Sequence, residues 1–297
     1  MNDVLWSLRT PYGGRFHRAK RLCWLAAGSC ALSGLYAGRI CRTWLRYTRM
    51  DMPLPNLPAA LAGAKLVHIS DLHCSPIVLD RYLREVIEHV NAERPDFVVI
   101  TGDFITGGTH YAKRIARRLA DLKAGIACVA CLGNHDFGIY HPRGRSGMRQ
   151  LPGYLSRRLF DAGVHVLRNQ RAVLGRDGAM IQLVGLDDLW SDRYDPREAF
   201  REVERDRPTV ALAHNPDTAE DLIARGAHWV LSGHTHGNAA GERRYRDAVF
   251  PVDKPHFAAG HYRLGGGHLY VNRGLSYARR MPLNKRPEIT VFTLRGA

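Results

Sequence analysis

The sequence predicts a mixed α/β fold, in which helices cover a sheet-on-sheet core and a separate helix precedes it. Between about residues 65 and 225, short apolar runs of strand length alternate with segments whose apolar residues recur at helical spacing. The elements predicted after about residue 260 are all β-strands. A chain of 297 residues, 45% of them hydrophobic, is long enough to bury such a core.

The individual elements follow from these two periodicities. Strands are predicted over 65–70, 97–101, 126–132, 181–186, 210–213, 229–232, 260–264, 268–271 and 288–294. Helices are predicted over 79–90, 111–123, 196–205 and 217–225. Cys128 and Cys131 stand three apart in one strand and therefore face opposite sides of it, which predicts two buried thiols rather than a disulfide.

The N-terminus differs in composition from the rest of the chain. Of the net charge of +15, residues 1–50 contribute +8, through nine Lys or Arg and one Asp. The stretch 22–38 carries no charge, and Trp24 and Tyr36 near its ends are typical of a membrane interface. Three interpretations are open: a transmembrane anchor, an interfacial helix or a cleaved signal. This charge distribution favours an anionic membrane surface as a partner over nucleic acid.

Proline marks the boundary that follows this segment. Three prolines within residues 52–58 exclude a helix and predict a semi-rigid linker over residues 51–60. The predicted organisation is therefore a basic segment over 1–50, this linker, and one folded domain over 61–297.

Five short polar motifs stand at or near the ends of predicted strands. A lone His or Asp in a loop is usually only hydrogen-bonded, but five motifs in this order can supply two adjacent divalent cations with imidazole, carboxylate and amide ligands. The Asp-x-His and His-x-His spacings place two side chains on the same side of an extended chain. The motifs are Asp71-Leu72-His73, Gly102-Asp103, Gly133-Asn134-His135-Asp136, His214-Asn215 and Gly233-His234-Thr235-His236.

The five motifs resemble the signature of the calcineurin-like metallophosphoesterase family, D-x-H, G-D, G-N-H-[DE], H and G-H-x-H. The resemblance implies a four-layer β-sandwich flanked by helices and two divalent metal ions, Mn²⁺ first and Fe or Zn²⁺ as alternatives. It implies that the first metal is held by Asp71, His73, Asp103 and His236. It implies that the second is held by Asp103, Asn134, His214 and His234, with His135 as the catalytic histidine and Asp136 positioning it.

The C-terminal segments resemble one branch of this family, the bacterial membrane-associated phosphodiesterases. The segments are 268–276 and 286–289, and the branch includes enzymes that cleave the pyrophosphate of UDP-2,3-diacylglucosamine in lipid A synthesis. Asn134 and Arg273 are expected to contact the substrate phosphate, with a structural ion pair as the alternative for Arg273. One departure is visible, since Asn238-Ala239-Ala240 follows Gly237 where family members commonly carry Gly-Gly-Gln.

Two basic segments are candidates for the substrate-side rim. The loop 137–149 carries Arg143, Arg145 and Arg149, and it is either a phosphate or head-group contact or a solvated basic loop. The segment 240–256 carries three further arginines and either faces lipid or packs locally.

The expected function is hydrolysis of a phosphodiester or pyrophosphate bond in a phosphorylated lipid or small molecule. The expected location is the bacterial inner membrane, as a single-span or peripheral protein with a cytoplasmic catalytic domain. The alternatives are a phosphodiesterase or nuclease with a soluble substrate, and a catalytically silent membrane scaffold.

Overall fold

Two six-stranded β-sheets form the body of the molecule. The computed structural model describes residues 13–35, 43–144, 148–237, 257–276 and 286–297. The first sheet consists of β1 (Arg46–Leu54), β2 (Lys65–Ile69), β3 (Phe97–Thr101), β4 (Ala127–Cys131), β5 (His165–Val166) and β12 (Glu288–Gly296), in the order β1-β12-β2-β3-β4-β5. The second consists of β6 (Gln170–Arg176), β7 (Ala179–Gly185), β8 (Thr209–Leu212), β9 (Trp229–Ser232), β10 (Gly260–Leu264) and β11 (Gly267–Val271), in the order β10-β11-β9-β8-β7-β6.

Helices cover the outer face of each sheet. Those beside the first sheet are α2 (Asp80–Ala92), α3 (Thr109–Leu119) and α4 (Leu151–Asp161), and those beside the second are α5 (Pro196–Phe200) and α6 (Ala219–Ala224). An N-terminal helix, α1, spans Gly13–Leu35. The predicted mixed α/β fold with two packed sheets is therefore confirmed. The alternation in the chain produced it because each strand–helix pair buries one apolar face against the next layer.

The hydrophobic core has three layers, because successive residues of a strand face opposite sides of its sheet. Val67 packs outward against α2 and α3, whereas its neighbour Leu66 packs inward against the second sheet. The same alternation divides Cys128, in the outer core, from Cys131, in the core between the sheets, so both are buried free thiols as predicted. Between the sheets, Trp229 is fully buried and donates its indole N–H to the carbonyl of Pro53.

The predicted linker over residues 51–60 is wrong in its first part. Residues 46–54 form β1, which pairs in parallel with β12 over nine residues. Proline is tolerated in β1 because this strand is the edge of its sheet, where a missing N–H is not needed for a ladder. Met52 and Leu54 are fully buried between the sheets, so the folded domain begins near Arg46 and not at residue 61.

Other differences concern element ends and short elements. The predicted helices over 111–123 and 196–205 end earlier, at Leu119 and Phe200. The elements α4, β5 and β6 carry no prediction. Strand β5 is short and β6 is only half-buried, whereas α4 buries Leu151, Leu155 and Leu159 at helical spacing, a pattern that could have predicted it.

The N-terminal helix carries exposed apolar side chains. Leu22, Trp24, Leu25 and Leu32 are each at least 66% exposed on α1. Within the described part of the chain, no helix is both long and apolar enough to cross a membrane. Residues 36–38 of the predicted apolar stretch lie outside the described residues, and a membrane-associated helix stays a prediction.

We expect the first strand to be essential for stability. A chain shortened to begin at residue 61 loses the buried side chains Met52 and Leu54, each worth about 1.5–3 kcal/mol. Its unfolding midpoint, measured by circular dichroism, is expected to fall by about 6 °C or more relative to a chain that begins at residue 43. Equal midpoints for the two shortened chains would contradict the assignment of β1 to the core.

Candidate metal centre

The predicted ligands meet at one edge of the two packed sheets. Strands β2, β3 and β4 run parallel in the first sheet, and β8 and β9 run parallel in the second. Because carboxyl ends of parallel strands share an edge, the loops that follow them come together. Those loops carry the seven predicted ligands, all of them buried: Asp71, His73, Asp103, Asn134, His214, His234 and His236.

Five of these seven residues have left-handed backbone conformations. Their φ angles are 53° for Asp71, 43° for His73, 53° for Asp103, 71° for His234 and 52° for His236. A non-glycine residue in this region costs about 1 kcal/mol or more, and such strain gathers at functional sites. The left-handed turn directly after each strand folds the side chain back toward the edge shared by the two sheets.

The first group of ligating atoms comes from Asp71, His73 and His236, which lie within 4.8 Å of one another. The Nε2 atoms of His73 and His236 are 3.1 Å apart, and His236 Nε2 is 3.4 Å from Asp71 Oδ1. Nδ1 of His73 is hydrogen-bonded to Thr106 Oγ1 at 2.7 Å, and a proton on Nδ1 leaves a lone pair on Nε2. Two imidazole lone pairs at this separation repel each other unless a cation or a proton lies between them.

Asp103 lies between this first group and the side chain of His214. Its Oδ2 atom is 3.4 Å from His73 Nε2 and 3.2 Å from His214 Nε2, and its Oδ1 atom accepts the backbone N–H of His135 at 3.0 Å. His214 donates from Nδ1 to the carbonyl of Thr101 at 2.7 Å, so its Nε2 faces the carboxylate. Asp103 is therefore in the position that a carboxylate bridging two cations needs.

The electrostatics of this pair favour positive charge beside Asp103. Burial by itself would raise the pKa of Asp103, but the imidazoles of His214, His135 and His73 hold that pKa well below its usual range. Burial would likewise lower the pKa of His214, yet Asp103 raises it well above the ordinary histidine value. A buried carboxylate with these shifts is one that is stable only beside a cation.

Asn134 and His234 stand next to this centre. Asn134 donates from Nδ2 to the carbonyl of Ile139 at 2.6 Å, which turns its Oδ1 toward His234 Nδ1, 3.1 Å away. Burial lowers the pKa of His234 to about 3, so its imidazole is neutral. Within the described part of the chain, His234 Nε2 has no hydrogen-bond partner. An amide oxygen and a neutral imidazole are the donors expected for the second metal.

The predicted catalytic histidine lies among the predicted ligands. A ring nitrogen of His135 is within 4.8 Å of ligating atoms of His73 and Asp103. Its ring makes edge-to-face contacts with His73, at 4.6 Å between centroids, and with Tyr140, at 4.7 Å.

The Asp136 carboxylate binds backbone N–H groups of two loops at this site. Its two carboxylate oxygens accept the N–H groups of Gly133, at 3.0 Å, and Ile105, at 3.2 Å. These bonds tie the loop after β4 to the loop after β3. Its predicted action on the His135 ring stays a prediction.

The C-terminal segment 268–276 packs against Asp71. The backbone N–H of Ser276 donates to the carbonyl of Asp71, and Gly274 packs against the Asp71 side chain so closely that a Cβ would clash with it. Arg273 lies along Gly237, with Nη1 3.0 Å from where a Cβ on Gly237 would stand. This contact brings Arg273 to the rim next to His236, where a substrate contact is predicted. Residue 145, the segment 238–240 and the basic segment 240–256 lie outside the described residues.

A model of the calcineurin-like phosphoesterase family matches residues 64–238, a range that contains all five motifs. The chain belongs to this family. As a calcineurin-like phosphoesterase it is a hydrolase, and members of the family bind a dimetal centre.

Curated relatives share most of the chain's length. The UDP-2,3-diacylglucosamine pyrophosphatase LpxG of Chlamydia trachomatis is 29% identical over 307 residues, which cover 88% of this chain and 92% of LpxG. The uncharacterized metallophosphoesterase YkuE of Bacillus subtilis is 31% identical, over 92% of this chain and 94% of its own length. The phosphodiesterase YaeI of Escherichia coli is 30% identical, over 78% of this chain and 83% of YaeI.

Asp188, Trp190 and Tyr140 complete the surroundings of the phosphoesterase centre, and no motif in the sequence marks them. Asp188 is buried, and burial, opposed by His214, raises its pKa to about 7. Trp190 packs edge-to-face on His234 with 4.7 Å between ring centroids. One signal was available, since Asp187-Asp188 follows an apolar strand as the other polar motifs do.

Close packing at Gly133 gives a test of the geometry. A Cβ at this position would collide with the Asp103 carboxylate, so we expect Gly133→Ala to weaken metal affinity at least about tenfold. Metal content is measured by elemental analysis after dialysis against Mn²⁺. Gly153→Ala is the matched control, because Gly153 lies in α4 and its nearest contact to a Cβ is Arg157 at 3.8 Å. Equal metal content in the two variants would contradict the proposed position of Asp103.

Proposed function

We propose that this phosphoesterase uses two metal ions to cleave a phosphodiester or pyrophosphate bond in a phosphorylated lipid at a membrane surface, with UDP-2,3-diacylglucosamine as the candidate substrate. The position of Asp103 is the observation that supports the use of two metal ions. Its Oδ2 atom lies within 3.4 Å of imidazole nitrogens from two different loops, those of His73 and His214. A single carboxylate facing two imidazole groups is the arrangement that two adjacent cations require.

The donor set fits hard to intermediate divalent ions. Imidazole, carboxylate and amide oxygen ligands suit Mn²⁺, Fe and Zn²⁺, and the described residues around the centre include no buried thiol ligand that would favour a softer ion. Asp71, His73, Asp103 and His236 would hold one ion, and Asp103, Asn134, His214 and His234 the other. When bound, the pair of ions supplies a nucleophile at neutral pH and neutralises charge on the phosphoryl oxygens.

The remaining groups of the site bind, orient and transfer protons. The Asn134 amide is fixed by its bond to Ile139, so its oxygen keeps one direction while substrate enters. His135 stands between His73 and Tyr140, where it is positioned to donate a proton to the leaving oxygen. Arg273, beside Gly237, would meet a non-bridging oxygen of the phosphate.

Three observations support a lipid substrate at a membrane. The relative LpxG is named as a UDP-2,3-diacylglucosamine pyrophosphatase and covers most of this chain. In addition, large apolar side chains are exposed on the loops that follow β2 and β4: Ile77 at 58%, Leu79 at 46%, Tyr140 at 47% and Met148 at 40%. Apolar groups exposed beside an active site are suited to contact acyl chains or a bilayer. The net charge of +15 favours an anionic surface.

Two substitutions separate metal binding from proton transfer. We expect His135→Ala to lower kcat by about 10² to 10⁴ while both metals stay bound, because the proposed role of His135 is proton donation. Asp103→Asn is expected to lose both activity and metal, because it removes the shared carboxylate. The readouts are hydrolysis of a chromogenic phosphodiester and elemental analysis, with His110→Ala, an exposed histidine on α3, as the control. Metal loss in His135→Ala would move His135 into the ligand set.

The substrate is tested by direct comparison. The purified protein is stripped of metal, restored with Mn²⁺, and assayed on UDP-2,3-diacylglucosamine in detergent micelles and on a water-soluble chromogenic phosphodiester. We expect a strong preference in kcat/KM for the lipid, because its acyl chains can use the exposed apolar loops. Activity confined to the soluble ester would keep the two-metal centre and overturn the lipid assignment.

A further inference from the structure

A cavity of about 330 Å³ opens beside the metal centre, between the loop that follows β4 and the loop that follows β7. Its size falls at the lower end of the range for small-molecule sites. The side chains and backbone of eight residues line it: Phe137, Ile139, Gly144, Arg149, Pro152, Trp190, Asp192 and Arg193. The proposed mechanism assigns no role to this space.

The cavity shares walls with the ligands of one side of the centre. The Trp190 ring, which lines the cavity, packs edge-to-face on His234. Ile139, another lining residue, accepts through its carbonyl the bond that orients Asn134. A molecule bound here is therefore next to the Asn134 and His234 side of the centre.

An ion pair and hydrogen bonds within the protein hold the wall that the loop after β7 forms. Arg168 makes a bidentate ion pair with Asp187, with distances of 2.9 and 2.8 Å. Asn169 accepts the backbone N–H of Asp187 and donates to the carbonyl of Arg193 at 2.6 Å. These bonds fix the backbone of the loop at Arg193.

The chemistry of the lining groups defines what the cavity can take. The guanidinium groups of Arg149 and Arg193 suit a phosphate, which they can bind through paired N–H donors. The Asp192 carboxylate accepts hydrogen bonds from sugar hydroxyls, and the indole of Trp190 with Phe137 and Pro152 offers a surface for a ring. Arginine, carboxylate and aromatic groups around one cavity fit a phosphate joined to a hydroxylated ring.

We propose that this cavity binds the phosphorylated ring portion of the substrate, a nucleoside phosphate or a sugar phosphate, beside the bond that is cleaved. The inference rests on the proposed function, since it names the substrate class of the same site. Within the basic loop 137–149, Arg149 is then the residue that contacts the phosphate of the substrate.

Binding to the full-length protein loaded with Mn²⁺ tests the cavity separately from catalysis, because the probes contain no phosphodiester or pyrophosphate bond. Titration calorimetry would use three probes: uridine monophosphate, glucosamine 1-phosphate and uridine. We expect at least one of the two phosphates to bind saturably and uridine to bind more weakly than its monophosphate. Saturable binding of uridine monophosphate alone assigns the cavity to the nucleotide portion, and binding of glucosamine 1-phosphate alone assigns it to the sugar portion.

Variants connect that binding to named residues. Arg193→Ala is expected to weaken phosphate binding about tenfold or more, since it removes a charge-assisted contact, and Arg193→Lys to restore part of it. Arg197→Ala, an exposed arginine on α5 outside the cavity, is the control and is expected to change affinity less than twofold. Metal content and circular dichroism establish that each variant is folded.

The proposal is overturned if neither phosphate binds saturably, if uridine binds saturably and as tightly as its monophosphate, or if Arg193→Ala and Arg197→Ala behave alike. Failure of the proposed function has a different signature, namely metal-loaded protein that hydrolyses neither the lipid nor the chromogenic diester. The two outcomes are independent because the binding measurement involves no turnover.

Discussion

The buried carboxylate of Asp103 sets the main constraint on this structure. A carboxylate that is almost fully removed from water is stable only beside positive charge. Imidazoles from two loops stand within 3.4 Å of it, and a backbone N–H of a third loop donates to it. Because those loops follow strands of both sheets, the contacts that supply positive charge to this one residue join the two sheets at this edge.

The loops hold unfavourable backbone conformations because they are bonded to one another. The N–H of His73 donates to the carbonyl of Asp103, and the N–H of Gly233 donates to the carbonyl of His214. The N–H of His234 also donates to the Asp71 carboxylate. Four of the five left-handed residues, Asp71, His73, Asp103 and His234, are therefore bonded to a neighbouring loop, and a strained turn persists where the surroundings determine it in this way. The result is a set of side chains that converge on one point between the loops.

Those elements and site residues could be predicted whose pattern lies within one short stretch of the sequence. The strands and the five motifs are contiguous in the chain, and parallel pairing then brings strand ends together, so the ligands were readable as residue types in order. Strand β1 was not, because Pro53 at its end and the prolines that follow it exclude a helix as well as a central strand, and only pairing with β12 reveals an edge strand.

Contacts between loops that lie far apart in the chain could not be predicted from the sequence. Trp190 reaches His234 from a strand end in the same sheet but more than forty positions away in sequence. Asp136 was readable as a carboxylate beside a histidine, yet its bonds to Gly133 and Ile105 depend on the path of two separate loops. The residue types at these positions could be predicted from the sequence, whereas the residues that they contact could be identified only from the fold.

Electron paramagnetic resonance of the protein loaded with Mn²⁺ tests the central claim, that Asp103 joins two metal ions, most directly. Two ions held about 3.5–4 Å apart by a shared carboxylate are exchange-coupled. The account predicts two Mn²⁺ per chain at saturation and a coupled multiline spectrum. One Mn²⁺ per chain, or two with the simple six-line spectrum of isolated ions, would contradict it.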